Sequence, residues 1–443
     1  MKKKVYDTAV IGAGASGIMA AVTAARLGAE VVLLEHMEQA AKKLLATGNG
    51  KCNYTNTDQA IGNYYCEEPA FVRTVLEQFP YTETIRFFEE LGIRPVQKNG
   101  TCIYPESEQA ASVKSALLSE TERLQIPLLL SVGIRRIHKL YNQKIGGSIE
   151  RQLFQIETKG DTIYSRTCIL ATGGKAAKKT GSDGSGYLYA RQLGHTLIQP
   201  FPALTALLAD LKKWKLPAGV RIGCTAALYV DGVQRACETG ELQITESGIS
   251  GIVVFQFSRT AAKALAENRQ VHVCLDFKPN MPQPELAAYL LERFLSIYHS
   301  AKRVDEGMVG FLPDKLIPVV RKRAGISGQM RCGQCTMPQA ERLAAVLKAY
   351  QVDITGTKGF DSAQATAGGV SVQEIDAVRM ESKKIPGLYF AGEIVDVDAK
   401  CGGYHLQWAW SSGAAAGRAA ASAAQTGHAG KKAGTGRKGV YIG

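Results

Sequence analysis

Gly12-Ala13-Gly14-Ala15-Ser16-Gly17 sets three glycines in G-x-G-x-x-G spacing, and Glu35 follows eighteen residues after the last of them. These residue types at this spacing suit a dinucleotide. The first glycine permits a tight turn, and the second lets the backbone approach a pyrophosphate. The third lets a helix pack closely on a strand while the helix N-terminus, with Ala15 and Ser16 in its first turn, faces the phosphates. A carboxylate at Glu35, with His36 beside it, is placed to accept hydrogen bonds from a ribose. Glycine turns are common, so the hexapeptide carries weight only between a strand and a helix.

The neighbouring sequence provides both. Val5 to Ile11 alternates and then turns apolar, as a buried strand does; Ser16 to Leu27 carries small and apolar residues at helical spacing before Gly28; Ala29 to Leu34 reads as the next strand. Phe71 to Leu91 and Ala110 to Leu124 read as amphipathic helices and Ile126 to Val132 as a strand. Phe154 to Thr158 and Thr162 to Leu170 read as paired strands running into Ala171-Thr172-Gly173-Gly174. From about Thr196 short β-like runs crowd together, at Ala226 to Val230, Ile252 to Phe257 and Val271 to Leu275. Helical stretches follow at Pro284 to Lys302 and Pro338 to Tyr350. Near Gly387 the first texture returns, with Leu388-Tyr389-Phe390, Ala391-Gly392-Glu393 and an Ala-rich helix from Trp410 to Ala424. The pattern predicts an α/β chain with a discontinuous Rossmann-type domain over residues 1–195 and 359–425. The insert spans 196–358, with its helical part at about 280–345, and 426–443 is expected to be a disordered basic tail.

At 443 residues, with 45% hydrophobic and 21% charged residues, the composition is that of a folded globular chain of two or three domains. The N-terminus shows neither a cleavable signal nor an apolar span long enough for a bilayer, so a cytoplasmic protein without a membrane partner is expected. The ten cysteines are scattered rather than framework-like, and reduced thiols are the expectation. Of the net charge of +13, four charges come from Lys431, Lys432, Arg437 and Lys438 in the acid-free tail. No nucleic-acid-binding motif accompanies the rest, which reads as a solvated basic surface that also suits anionic cofactors; nucleic acid is not an expected partner.

After the second strand the chain continues as Lys42-Lys43-Leu44-Leu45-Ala46-Thr47-Gly48-Asn49-Gly50-Lys51-Cys52-Asn53-Tyr54-Thr55-Asn56. This stretch resembles the BaiN/HI0933-like family of flavoproteins. The likeness extends through Ala171 to Gly174, Gly181-Ser182-Asp183-Gly184-Ser185-Gly186-Tyr187, Thr366-Ala367-Gly368-Gly369-Val370 and Gly387 to Glu393. It closes on Asp396-Val397-Asp398 and Cys401-Gly402-Gly403-Tyr404-His405-Leu406-Gln407-Trp408. The resemblance implies a non-covalent FAD, held in a domain interrupted by a β-barrel-like insert that carries a helical subdomain. It implies that Lys43, Leu44, Thr47, Gly48, Asn49, Gly50, Cys52 and Asn53 lie against the flavin, with Val132, Ala171, Thr172, Gly173 and Gly174 in the same cofactor set. Gly392 and Glu393 are implied to meet the ribityl or phosphate region. Gly403, Tyr404, His405, Leu406 and Gln407 are implied to offer backbone N–H groups to the flavin's pyrimidine edge, where a helix N-terminus stabilises the negative charge of reduced flavin.

Two positions depart from the family pattern: His405 stands where Asn is usual, and Lys51 where Arg is usual. A histidine there can donate from one ring nitrogen, and it can also titrate near neutrality and move the flavin potential. Cys52 has no second cysteine close by and reads as packing. Cys332-Gly333-Gln334-Cys335 has C-x-x-C spacing without a second pair or a thioredoxin-like context, so no metal site is expected. No second dinucleotide fingerprint occurs, so NAD(P)H, the expected electron donor, must visit the same cleft transiently. The resemblance implies NAD(P)H-driven reduction of a conjugated C=C in a small, steroid- or bile-acid-like enone by hydride transfer from flavin N5. Tyr404, His405 and Tyr187 are the candidate donors to the developing enolate. The alternatives are an oxidase of a small amine or hydroxy compound, and a flavin-bearing RNA-binding or redox-sensing protein.

Overall fold

The computed structural model describes residues 4–145 and 148–432, and it divides into two compact units. One unit holds the residues up to Pro200 and those from Ala365 on; the other is Phe201–Gln364. The breaks lie a few residues beyond those expected near 195 and 358.

The first unit is built on a seven-stranded sheet. Leu128–Leu129, Val31–Leu34, Val5–Ile11 and Thr162–Leu170 lie side by side and parallel. The far edge of Thr162–Leu170 is shared. Its first half pairs antiparallel with Ser148–Thr158, which pairs with Ile134–Ile145, and its last three residues pair parallel with Leu388–Phe390. A parallel neighbour from the other end of the chain is what makes this domain discontinuous. Val31–Leu34 is buried at every position, as a parallel strand covered on both faces must be.

Helix Ala15–Arg26 packs against helix Tyr404–Lys432 at very short range. A Cβ on Gly413 would lie 2.5 Å from the Ser16 carbonyl oxygen, and one on Gly417 would lie 2.4 Å from that of Ala20. Glycines four apart therefore allow the two backbones to touch. The last helix starts six residues before the expected Trp410 and continues past Ala424 to Lys432. Of the expected disordered tail, 426–432 is helical and 433–443 lies outside the described residues.

Three other expectations are corrected. The single helix from Phe71 to Leu91 is two, Pro69–Gln78 and Tyr81–Glu90, because Pro80 holds Phe79 out of the helical region (φ −149°, ψ 75°). The strand expected from Ile126 to Val132 shrinks to Leu128–Leu129. Ile252 to Phe257 is the first part of helix Ile252–Ala266 rather than a strand. A continuous apolar run does not separate a buried strand from a buried helix, and this one follows a sharp turn at Gly251 (φ +99°).

In the second unit seven strands pair in the order Tyr350–Ile354, Val271–Asp276, Val220–Val230, Val233–Ile244, Gly248–Ser250, Leu207–Leu208 and Gly356–Thr357. The two end strands are one residue apart in the chain, so the sheet curls until its ends meet, which gives the barrel-like form. Helix Ile252–Ala266 packs on this sheet, and helices Gln283–Leu295, Ile317–Arg323 and Met337–Lys348 form the helical part.

Candidate cofactor site

The glycine loop is specified by contacts within the protein at two of its three positions. A Cβ on Gly12 (φ +101°) would sit 2.4 Å from the Ala171 carbonyl oxygen, and one on Gly17 would sit 1.8 Å from the Gly12 carbonyl oxygen. Gly14 differs. Its backbone is one that any residue adopts (φ −82°), and among the described residues beyond its two chain neighbours no atom lies within 4 Å of the Cβ position. The protein alone gives no reason for glycine there; a group lying against the N-terminus of Ala15–Arg26 does. That helix has no acidic residue in its first turn and no side-chain cap, so its first N–H groups are left for an anion.

Glu35 is buried at the end of Val31–Leu34, where Oε2 accepts from the Ala13 N–H and Oε1 from the Met37 N–H, both at 2.9 Å. His36 Nδ1 lies 3.2 Å from Glu35 Oε1, and the Val132 N–H donates to the Glu35 carbonyl at 2.8 Å. His36, Met37, Glu38, Gln39 and Lys42 line a cavity of about 330 Å³ beside this carboxylate. The carboxylate thus fixes the glycine loop through the Ala13 N–H. Replacing Glu35 by Ala should weaken FAD binding by about 1.4–2.8 kcal/mol, roughly 10- to 100-fold, and Glu35→Gln by less, because Gln keeps one acceptor. Titration of the apoprotein with FAD measures both, and an unchanged affinity would place the ribose elsewhere.

Glu393 joins three segments that are distant in sequence. Its Oε2 pairs with Lys43 Nζ at 2.7 Å and accepts from the Gly174 N–H at 3.4 Å, and its Oε1 accepts from the Thr366 N–H at 2.6 Å. Thr366 Oγ1 in turn accepts from the Lys175 and Ala176 N–H groups at 2.8 and 3.0 Å. Burial favours the protonated acid, but the Lys43 charge and hydrogen bond, the nearby His405 and the Thr366 N–H outweigh it and hold Glu393 below the usual carboxylate range. Thr172 Oγ1 is buried among the described residues without a partner, closely covered by Gly186.

The segment Lys43–Gly50 makes two short helical turns, and Gly48, Asn49 and Gly50 all have positive φ. Leu44 is buried and its carbonyl accepts from Thr47 Oγ1 at 2.6 Å. Cys52 is wholly buried, and burial pushes its thiol up to about 12, so it is a packed neutral group. Asn53 Oδ1 is buried without a partner among the described residues, an acceptor left for a donor from a bound ring.

The turn Cys401-Gly402-Gly403 lies on this segment. Asn56 Nδ2 donates to the Gly402 carbonyl at 2.8 Å, and a Cβ on Gly403 (φ +90°) would sit 2.8 Å from the Thr55 carbonyl oxygen and 2.9 Å from Asn53 Oδ1. Helix Tyr404–Lys432 starts here, so the first-turn N–H groups of Tyr404, His405 and Leu406 lack helical partners. The side chain of Gln407 is committed elsewhere: Oε1 accepts from Thr55 Oγ1 at 2.5 Å and Nε2 donates to the Phe79 carbonyl at 2.9 Å. Trp408 Nε1 donates to the Gly392 carbonyl at 3.1 Å and Ser412 Oγ accepts from the Gly392 N–H at 2.9 Å, which holds the Gly392 turn against the helix.

The three candidate donors differ in their surroundings. Tyr187 is buried, its hydroxyl has no partner among the described residues, and burial followed by the charges of Glu393 and Asp396 raises its pKa well above the usual phenol range. Tyr404 is buried edge-on against Tyr64 at 5.6 Å; burial and then the charge of Asp58 push its hydroxyl up to about 12. His405 Nε2 accepts the Ala399 N–H at 3.2 Å, which puts the ring's proton on Nδ1. Burial pushes its pKa down to about 4; Glu393 opposes and Lys43 assists. Of the two behaviours open to a histidine here, burial favours the neutral ring that donates over the one that titrates near neutrality. From about pH 5.5 to 8.5, the flavin potential of the His405→Asn variant should run parallel to that of the unaltered protein. A redox titration showing an extra step only with histidine would overturn the neutral assignment.

A family model described as HI0933-like protein Rossmann domain matches residues 6–419. The chain belongs to the HI0933-like family. It is 40% identical over 414 residues to the 3-dehydro-bile acid delta(4,6)-reductase of Clostridium scindens, covering 93% of this chain and 98% of that protein. It is 27% identical over 413 residues to the ribosomal RNA dihydrouridine synthase of Escherichia coli, covering 92% and 96%. Among solved structures, the 3-ketosteroid delta1-dehydrogenase of Sterolibacterium denitrificans in complex with 1,4-androstadiene-3,17-dione aligns with a TM-score of 0.50 at 13% identity, over 94% of this chain and 99% of that one. The last of these shares the fold.

Membership of the HI0933-like family makes the chain a flavoprotein oxidoreductase, and the residues present fit FAD. Gly14 leaves space at a helix N-terminus, a cavity lined by His36 to Gln39 and Lys42 follows Glu35 in the chain, and Asn53 Oδ1 has no donor among the described residues. Sequence reasoning missed the clamp of Trp408 and Ser412 on Gly392, and the role of Thr366. Gly413-Ala414-Ala415-Ala416-Gly417 was the readable sign of a close helix crossing; Thr366 was legible only as the first residue of the resembling stretch Thr366 to Val370, and nothing along the chain signals its hydrogen bonds to Glu393, Lys175 and Ala176. Among the described residues no group of three or more His, Cys, Asp or Glu could hold a metal.

Proposed function

We propose that this protein is an FAD-dependent reductase of a C=C bond conjugated to a carbonyl, acting on a small, steroid-like enone with NAD(P)H as electron donor. The observation that carries the reading is the 40% identity, across nearly the full length of both chains, to a reductase of a 3-dehydro-bile acid. In such a substrate a 3-oxo group conjugated to double bonds at positions 4 and 6 makes the distal carbon electrophilic. FAD, when bound, supplies the hydride for that carbon. The chain's own residues bind and orient it: Gly14 and the following helix start receive the pyrophosphate, and the Lys43–Glu393 pair sets the loops around it. The N–H groups at the start of Tyr404–Lys432 offset negative charge on the reduced ring. Of the three candidate donors we favour His405, which presents a neutral Nδ1–H for the oxygen of the developing enolate.

A second reading has its own support in the 27% identity to a ribosomal RNA dihydrouridine synthase. The uracil C5=C6 bond is likewise conjugated to a carbonyl, so the same hydride chemistry serves a nucleic-acid substrate. One anaerobic experiment separates the readings. The holoenzyme is bleached with NADH or NADPH, then mixed with a 3-oxo-4,6-diene steroid or with unmodified ribosomal RNA. Rapid return of the oxidised flavin spectrum with the steroid, together with the reduced product by mass spectrometry, is the expected result. Reoxidation by RNA alone would establish the second reading, and failure of both nicotinamides to bleach the flavin would remove NAD(P)H as donor.

A further inference from the structure

Cys102 and Cys401 stand apart from the other thiols around the cofactor segments. Both are partly exposed, as Cys66 is, whereas Cys52 and Cys168 are buried; of these thiols only Cys102 is seen in contact with the turn that Cys401 opens. Cys102 opens strand Cys102–Pro105, which pairs with Thr55–Asn56 next to the Asn53 acceptor. Cys401 opens the turn that leads into helix Tyr404–Lys432. The Cys102 thiol donates to the carbonyl of Gly402, the residue after Cys401, at 4.0 Å. Asn56 Nδ2 spans the same two segments, 2.8 Å from the Gly402 oxygen and 3.8 Å from Cys102 Sγ. Gly402 and Gly403, with φ of +141° and +90°, give the turn the backbone freedom to adjust.

We propose that Cys102 and Cys401 form an oxidisable dithiol site, closed to a disulfide by hydrogen peroxide, which staples the turn before the last helix to the strand beneath it. The Cys102 thiolate attacks one peroxide oxygen; the O–O bond breaks, the other oxygen leaves and is protonated to water, and Cys102 becomes a sulfenic acid. The Cys401 sulfur then displaces that hydroxyl, which leaves as a second water. Two thiols lose two electrons and two protons, and one peroxide becomes two waters. Cys401 is the resolving partner because burial pushes its thiol up to about 11, which leaves little thiolate for the first attack. The disulfide holds Gly403 and the helix start in place, so a cofactor seated on them leaves more slowly. This last consequence rests on the proposed FAD site; the cross-link itself does not.

The test uses the full-length protein as isolated, treated with hydrogen peroxide and with thiols alkylated before digestion. A loss of two hydrogens from the intact mass and a peptide joining Cys102 to Cys401 are expected in the unaltered protein and in the exposed-cysteine control Cys237→Ser. Both should be absent in Cys102→Ser and in Cys401→Ser, and reduction should reverse them. Failure to find the cross-linked peptide, or its formation between other cysteines, would overturn the proposal even if FAD is bound as expected. Protein isolated without flavin would instead count against the FAD site while leaving the mass measurement readable. In the holoprotein, FAD release should slow by ~10-fold on oxidation, as for a ligand whose exit needs local opening, and an unchanged release rate would overturn the stapling role.

Discussion

Gly14→Val should give a folded protein that carries no FAD. Gly14 already has an ordinary backbone conformation, and among the described residues beyond its two chain neighbours nothing stands within 4 Å of the added Cβ. The unfolding midpoint should therefore move little, by an amount corresponding to about 1 kcal/mol or less. The valine methyl groups enter the space at the helix N-terminus where we propose the pyrophosphate lies, so FAD affinity should fall by at least ~1,000-fold, about 4 kcal/mol. Gly17→Ala should behave in the opposite way. Its Cβ would lie 1.8 Å from a backbone oxygen, which forces helix and loop apart and costs about 4 kcal/mol or more of fold stability before any cofactor is added. Flavin absorbance and thermal unfolding, measured together on both variants, read the two effects. Yellow Gly14→Val protein would show that the phosphates lie elsewhere, and a stable Gly17→Ala protein would show that the turn has room it is not seen to have.

These two glycines mark what the sequence could and could not display. Gly12, Gly14 and Gly17 were legible because their constraint is local: strand, turn and helix follow one another within the residues Val5 to Arg26. The discontinuity of the domain was legible because Leu388–Phe390 and the glycines after it repeat the texture of a strand end. Ile252 to Phe257 was misread because a short, largely apolar run has too few residues to separate a strand period from a helical one. Pro80 was the visible break in Phe71 to Leu91, overruled by the apolar spacing on either side of it. The partners of Glu393 lie 350, 219 and 27 residues away, and no pattern along the chain places them together. The resemblance gave Glu393 a place near the cofactor, but only the fold shows that its carboxylate is filled by Lys43, Gly174 and Thr366. The charge state of His405 was illegible for a similar reason: the Ala399 N–H that fixes its tautomer and the burial that keeps it neutral are both tertiary.

The role of Glu393 predicts the second large effect. Glu393→Gln keeps an acceptor for the Thr366 N–H but leaves the Lys43 ammonium, whose side chain is only 26% exposed, without its counter-charge. Breaking a partly buried pair from one side should cost about 3 kcal/mol of stability. With the segments at Lys43, Gly174 and Thr366 loosened together, FAD affinity should fall roughly 10- to 100-fold, about 1.4–2.8 kcal/mol. The pH dependence has a definite sign. The folded pKa of Glu393 lies below its ordinary value of 4.5, so the carboxylate's contribution is fully present above that pH and is lost as pH falls through the lower folded value. The stability gap between the unaltered protein and Glu393→Gln should therefore be constant near neutrality and close only on the acid side of about pH 4.5. Removing both charges, as in Lys43→Met with Glu393→Leu, should recover much of the loss in the apoprotein, because an apolar pair carries no stranded charge. Denaturant unfolding of the apoproteins at several pH values measures this cycle. A gap that persists at low pH, or a double variant as unstable as Glu393→Gln, would mean that the carboxylate acts through its backbone hydrogen bonds and not through Lys43.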